Sequence, residues 1–229
     1  MTDKTRIDIL VENVDEGQVV CDVGADHGIT AIRVLEERRP KKVIASDISA
    51  RSLQKLVDKI NLYGYDITTR VCDGIEDLAE FQPSTIIISG MGGFLIAEIL
   101  ERGKDLAKTV DKFILQANNG LAHLRKYLLD SGYEILKEDL VFEDGIYYDV
   151  IMAAYTGKRS EYGSEYEYEY GRYLIENRDP LLKDKILKKL EEIESILKVI
   201  SKGKGDKIEA RAKALRDEED HLEEILKCL

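Results

Sequence analysis

The chain has 229 residues, 44% of them apolar and 34% charged, enough for a buried core in one domain with or without an appendage. No apolar run approaches the ~18–20 residues of a spanning helix, and the opening Met1-Thr2-Asp3-Lys4 lacks the layout of a signal peptide, so a cytoplasmic location away from any membrane is expected. A formal net charge of −11 argues against generic attraction to nucleic acid and leaves any RNA binding to a local basic patch, and Cys21, Cys72 and Cys228 form neither a disulfide framework nor a zinc-spaced cluster, so no metal is expected.

In chain order, short runs rich in Val and Ile at 19–23, 42–47, 67–72, 85–89 and 112–116 alternate with helical stretches. That alternation predicts a parallel sheet with crossover helices on both faces. Two more strand-like runs follow at 133–142 and 147–155, with Glu143-Asp144-Gly145 between them as a hairpin turn, so the last strand should run antiparallel. After Thr156 the pattern changes. Tyr162, Tyr166, Tyr168, Tyr170 and Tyr173 interleave with acids over 161–173, an alternation that suits an added strand or a loop equally. Beyond Pro180, Leu182, Ile186, Leu190, Ile193, Leu197 and Ile200 recur at three- and four-residue steps, and after a break at 201–205 a second stripe follows, Ile208, Ala212, Leu215, Leu222, Ile225, Leu226 and Leu229. These predict an antiparallel helical hairpin with a coiled-coil-like seam.

The fold expected is therefore α/β: a doubly wound, seven-stranded, Rossmann-like sheet of methyltransferase type over residues 1–156, with its last strand antiparallel, and a C-terminal α-helical hairpin over 157–229. Strand ends of such sheets form the binding crevice, and the residues there carry the chemistry. The first strand runs into Asp22-Val23-Gly24-Ala25-Asp26-His27-Gly28. A nicotinamide fingerprint anchored at Gly24 would need glycines at 26 and 29, where Asp26 and Ile29 stand. A carboxylate there repels a pyrophosphate but suits a cofactor bearing a sulfonium and an ammonium. The turn resembles the first motif of class I S-adenosylmethionine methyltransferases. Asp47, at the end of the second strand, is placed to accept both ribose hydroxyls; the competing role, capping the next helix, can be filled by Ser49. Asp73-Gly74 after the third strand is placed to meet the adenine.

Taken together, Asp22-Val-Gly-Ala-Asp-His, Gly90-Met-Gly-Gly, Gln116-Ala-Asn-Asn with Leu124-Arg125, and Tyr147-Tyr148-Asp149-Val150 resemble the bacterial tRNA (adenine-22-N1)-methyltransferases, the TrmK family, over nearly the whole chain. The chain departs from that pattern in having Gly28-Ile29-Thr30-Ala31 for the usual Ala-Tyr-Leu-Pro and Gln116-Ala117-Asn118 for Gln-Pro-Asn. The resemblance implies N1-methylation of adenosine 22, in the D-arm region of tRNA, with S-adenosyl-L-methionine as cofactor. It assigns Asp22, Gly24, Asp47, Ile48, Asp73, Gly74, Gly90, Met91 and Gly92 to the cofactor. Adenine N1 needs no general base, so catalysis reduces to positioning and to an acceptor facing the developing cation; Asp26 and Asn118, with His27 orienting Asp26, are the candidates. The RNA partner is assigned to the basic tip of the hairpin. Between residues 198 and 216 stand Lys198, Lys202, Lys204, Lys207, Arg211, Lys213 and Arg216 against Asp206 and Glu209; Arg125 is a further candidate on the sheet domain. A methyltransferase for a small molecule or protein, and a noncatalytic module binding cofactor or RNA, are the alternatives.

Overall fold

The computed structural model of the protein describes residues 4–200 and 205–229. Helix α1 (Arg6–Glu12) opens it and is followed by β1 (Val19–Val23), α2 (Ile29–Arg38), β2 (Lys42–Asp47), α3 (Ala50–Tyr63) and β3 (Ile67–Val71). A 3-10 turn at Glu76–Phe81 leads to β4 (Thr85–Gly92), α4 (Gly93–Arg102), α5 (Lys104–Ala107), β5 (Lys112–Asn119) and α6 (Leu121–Asp130); β6 (Tyr133–Glu143) and β7 (Ile146–Tyr155) close the sheet. The strand order is β3-β2-β1-β4-β5-β7-β6. The first five strands pair in parallel, while β7 runs antiparallel to both β5 and β6. Central strands covered on both faces account for the unbroken apolar runs: Ile86, Ile87 and Ile88 on β4 and Phe113, Ile114 and Leu115 on β5 are fully buried. At the tip of the β6–β7 hairpin Asp144 and Gly145 both take positive φ, 50° and 84°, as a two-residue turn matching the strand twist requires.

Helix α1 is the element that the periodicity did not announce. It begins with a capping box in which the Thr5 hydroxyl accepts from Asp8 N–H at 3.2 Å and Asp8 Oδ2 accepts from Thr5 N–H at 2.6 Å. Its buried face, Ile9, Leu10 and Val11, joins a core that also takes in Val20, Val34, Leu53, Leu56 and Ile87.

Arg125, expected at the RNA, is fully buried instead. From α6 its Nε donates to Glu138 Oε1 on β6 at 2.6 Å and its Nη2 to Asp149 Oδ1 on β7 at 2.9 Å. Burial opposes its charge, but the two carboxylates outweigh that and raise its pKa. A guanidinium so enclosed reaches no phosphate; it pins α6 to the terminal hairpin.

The chain divides into two compact units, Met1–Gly163 and Ser164–Leu229. The division falls after Thr156 because residues 156–160 bond back to the first unit: Thr156 and Gly157 N–H donate to Gly132 O and Ser160 N–H to Leu129 O. In the second unit the tyrosine-rich segment is helical, as α7 (Glu165–Tyr170) and α8 (Arg172–Glu176), neither strand nor loop. Ser164 starts it with a second capping box closed by Glu167. Helices α9 (Pro180–Ile200) and α10 (Asp206–Cys228) pack side by side; Leu182, Ile186 and Ile193 of one and Leu215, Leu222 and Ile225 of the other are buried, and Lys189 meets Glu218 at 3.5 Å near the middle of both. No helix of the described residues is long and apolar enough to cross a membrane.

Candidate functional site

The turn between β1 and α2 forms the floor of the site. Gly24 takes φ 72°, where an L side chain is strained, and a Cβ there would stand 2.2 Å from Met91 Cε. The turn and the end of β4 thus lie against each other. Asp26 follows at φ 45°, a left-handed conformation that Asp adopts more readily than most residues. Its backbone is held from β2: Gly24 and Ala25 N–H donate to Ser46 O at 2.8 and 2.9 Å, and Asp26 N–H donates to Asp47 Oδ2 at 3.2 Å. Asp47 Oδ1 accepts from Ser49 N–H at 2.9 Å, and Ser49 caps α3 by accepting from Ser52 N–H. Helix capping is therefore done by Ser49, and half-buried Asp47 has lone pairs beyond those that accept from Asp26 and Ser49 N–H.

The end of β4 is shaped by its glycines. Pairing of β4 with β5 is in register through Ser89 and Gln116, then slips, leaving Gly90 as a bulge at φ 79°. Two side chains of β5 grip it. Buried Gln116 accepts Gly90 N–H on Oε1 at 2.9 Å, and Asn118 Nδ2 donates to Gly90 O at 2.8 Å. The two are themselves joined, Gln116 Nε2 donating to Asn118 Oδ1 at 3.1 Å. Asn118, expected as an acceptor for the base, is thus engaged at both ends of its amide, and its observed work is to fix the bulge that carries Gly90, Met91 and Gly92.

A pocket of about 280 Å³ lies over these turns, lined by Asp22, Gly24, Asp26, His27, Gly90 and Arg6 among others. Asp22 is 3% exposed; its carboxyl accepts from the Ala31 backbone, while Oδ2 has no hydrogen-bond partner. Burial pushes its pKa up to about 7, against the Ala31 bond and with the charge of Asp47 adding to the rise. Asp26 is exposed on the rim. His27 Nδ1 stands 3.4 Å from Asp26 Oδ1 but without hydrogen-bond alignment, and Nε2 lies 3.1 Å from Lys55 Nζ. An ammonium can only donate, so Nε2 accepts and Nδ1 carries the proton that faces Asp26.

At the end of β2, Ile48 is 69% exposed beside Asp47. The Asp73 carboxylate receives both Nη1 and Nη2 of Arg102, each at 3.1 Å, which lowers its pKa and leaves two lone pairs unused. The sheet-edge turn is completed by Gly74 at φ 91°. Of the RNA candidates, Lys207, Arg211 and Lys213 are exposed along α10, Lys198 is exposed and paired with Glu194 at 2.7 Å, and Lys202 and Lys204 lie outside the described residues.

Sequence reasoning missed Arg6, Tyr148, Lys55 and Arg102 as site residues and gave Gln116 no role. Arg6 Nη1 donates to Gln116 Oε1 at 3.0 Å across 110 positions of sequence, and its guanidinium lies 5.0 Å from the Tyr148 ring centroid. The Thr5-x-x-Asp8 box was a readable sign of the helix that carries it; nothing local marked Arg6 itself. Among the described residues no group of three or more His, Cys, Asp or Glu could hold a metal ion.

Comparison with known proteins places this geometry. A family described as "tRNA (adenine(22)-N(1))-methyltransferase", TrmK, matches residues 20–224. The chain is 29% identical over 232 residues to the tRNA (adenine(22)-N(1))-methyltransferase of Bacillus subtilis (strain 168), covering 96% of this chain and 95% of that protein. The crystal structure of the B. subtilis m1A22 tRNA methyltransferase TrmK superposes with a TM-score of 0.81 at 27% identity over 97% of each chain. Streptococcus pneumoniae Sp1610 in complex with S-adenosyl-L-methionine gives 0.83 at 28% identity, covering 97% of this chain and 99% of that one.

Proposed function

Since the chain belongs to the TrmK family of tRNA (adenine(22)-N(1))-methyltransferases, we propose that the pocket over β1 and β4 is where an adenosine extruded from the RNA is methylated. The protein is an S-adenosyl-L-methionine-dependent enzyme acting on N1 of adenosine 22 of tRNA. When bound, the cofactor supplies an electrophilic methyl group on a sulfonium. The residues fit it: Gly24, whose bare Cα lets Met91 pack against the turn, lines the pocket, Asp47 has lone pairs for ribose hydroxyls, and Asp22 has an unpartnered buried oxygen. Ile48 would cover an adenine face, with Asp73 and Gly74 at its edge, and Gly90, Met91 and Gly92 would form the wall opposite.

N1 lies on the Watson–Crick edge, so a paired adenine must leave the stack to react. Its lone pair is free, and no proton has to be removed before attack. As the ring gains positive charge, the negative carboxylate of Asp26, set in a fixed turn, offsets it. His27, whose Nδ1 stands 3.4 Å from Asp26 Oδ1 with Lys55 at its Nε2, is the neighbour that could orient that carboxylate once the two align. Asn118 acts one step removed, as the clamp on Gly90.

The second unit, 164–229, is assigned the RNA grip through Lys207, Arg211 and Lys213 on α10, with Lys198, Lys202 and Lys204 at the same end of the helices in sequence. Arg125 is withdrawn from that set, since it is enclosed by Glu138 and Asp149.

The observation that carries the reading is the exposed Asp26 carboxylate on the rim of the pocket, its backbone tied to Asp47. Asp26→Asn keeps the shape and removes the charge. It should lower turnover by about 10²–10³-fold with near-wild-type affinity for S-adenosylhomocysteine, measured by radiolabelled methyl transfer to unmodified tRNA with nucleoside analysis for 1-methyladenosine. Collapse of cofactor affinity with normal turnover at saturation would make Asp26 a cofactor residue instead.

A further inference from the structure

Phe94, the second residue of α4, leaves 63% of its surface in water. Two glycines put it there. Gly93 begins α4 and Gly120 caps α6, and a Cβ on Gly93 would stand 2.4 Å from Gly120 O, so the two helices start backbone against backbone. That approach lays the Phe94 ring over the β5–α6 turn, where a Cβ on Gly120 would stand 3.0 Å from Phe94 Cδ2. There the ring stacks on His123 of α6, with centroids 3.9 Å apart and planes inclined by 14°. His123 is itself exposed. One face of Phe94 is thus covered by imidazole, and the other is open. Both rings stand just beyond the carboxyl ends of β4 and β5, the side of the sheet on which the pocket lies.

A fixed pair of stacked rings, open on one face, is complementary to an unstacked nucleobase. We propose that Phe94, braced by His123, is the platform on which a base next to adenosine 22 stacks when that adenosine is extruded; this deepens the function proposed above and rests on it. Extrusion leaves the neighbouring bases with one face bare. A ring already held by a glycine turn and an imidazole loses little freedom in covering that face. Lys126, one turn beyond His123 on α6, is exposed with no acid within 4.0 Å among the described residues, so a phosphate beside the stacked base meets a cation. Glu98, one turn along α4 from Phe94, is drawn toward Arg102 at 4.0 Å. A second copy of the chain is the competing occupant. Of the large apolar residues on α4 and α6 only Phe94 and Leu95 are exposed, too small a patch for a stable interface of its own, which favours the base.

The chain contains no tryptophan, so Phe94→Trp yields a protein whose single indole is the platform itself. Saturating unmodified tRNA should quench that indole's emission, and KM for tRNA should stay at the wild-type value. An abasic nucleotide on one side of adenosine 22 should relieve the quench. Phe94→Ala should raise KM for tRNA about 10–100-fold, with kcat and S-adenosylhomocysteine affinity unchanged. An emission indifferent to tRNA overturns the proposal, as does a wild-type KM in Phe94→Ala. Relief of the quench only by an abasic nucleotide at position 22 also overturns it and gives Phe94 to the reacting base. Weakened S-adenosylhomocysteine binding in Phe94→Ala makes the ring part of the cofactor wall instead, and a doubled mass of the wild type in light scattering that Phe94→Ala abolishes makes it a contact between copies. Failure of the wild type to form 1-methyladenosine on unmodified tRNA speaks against the underlying function; an active wild type with an unresponsive indole speaks against the platform alone.

Discussion

Asp22 and Asp26 belong to one turn and one pocket, and they differ chiefly in burial. Asp22 is enclosed and bears the desolvation penalty of a carboxylate with one orphaned oxygen, so its pKa rises to about 7. Asp26 stays in reach of solvent on the rim. The folded protein therefore holds a proton on Asp22 that the unfolded chain, at 3.8, gives up. Its contribution is fully present below about pH 4 and is lost as pH rises through about 7. Asp22→Asn, which keeps an acceptor for Ala31, should be more stable than wild type above pH 7 by up to a few kcal/mol and should have a flatter stability profile between pH 4 and 7. Urea unfolding at intervals across that range checks this; parallel profiles would mean that Asp22 is hydrated in solution.

Among elements, the terminal hairpin is held by a buried ion cluster. Arg125 on α6, Glu138 on β6 and Asp149 on β7 are all buried, and the two strands carry the Tyr148 ring and Glu143 that place Arg6. Removing one member of such a cluster leaves uncompensated charge behind and costs about 3–5 kcal/mol. Arg125→Met should show that loss in urea unfolding, while the tRNA that remains bound at saturating folded protein should keep the wild-type salt dependence. A lowered slope of log affinity against log salt would return Arg125 to the RNA. The β4 bulge is the other element on which the site depends: at φ 79° Gly90 occupies a conformation that an L side chain strains, although open space surrounds the position a Cβ would take. Gly90→Ala should therefore act through backbone conformation, lowering methyl transfer without a clash in the core.

For the whole molecule, the first unit contains every strand of the described residues and its own core, and the second contains its own helix–helix seam. A chain ending at Gly163 should melt cooperatively and bind S-adenosylhomocysteine, yet lose tRNA methylation; aggregation of that chain would show that the helices complete the sheet domain's core. In the full chain, reversing Lys207, Arg211 and Lys213 to Glu should weaken tRNA strongly, leave cofactor affinity alone, and reduce the salt slope by roughly 0.7–0.9 for each phosphate that is no longer neutralised. Binding measured over a salt series decides it, and superimposable curves would place the RNA on the first unit.

Strands, hairpin turn and helical stripes were legible in the sequence because each depends on neighbours within a few residues: pleat and helix repeat impose periods of 2 and 3.6 on apolar side chains. The Ser49 cap was legible for a related reason, since a strand's end fixes where Asp47 stands and leaves Ser49, two residues on, to open the helix. Tertiary structure alone decided the rest. Arg6 meets Gln116 and Glu143, and Arg125 meets Glu138 and Asp149, only because the sheet order brings β5, β7 and β6 together. A lone arginine in sequence carries no mark of its partner, so Arg125 was expected at the RNA and Arg6 was given no role. Burial against distant carboxylates made Arg125 a structural rivet, and placement against a neutral amide and a ring left Arg6 with its charge uncompensated.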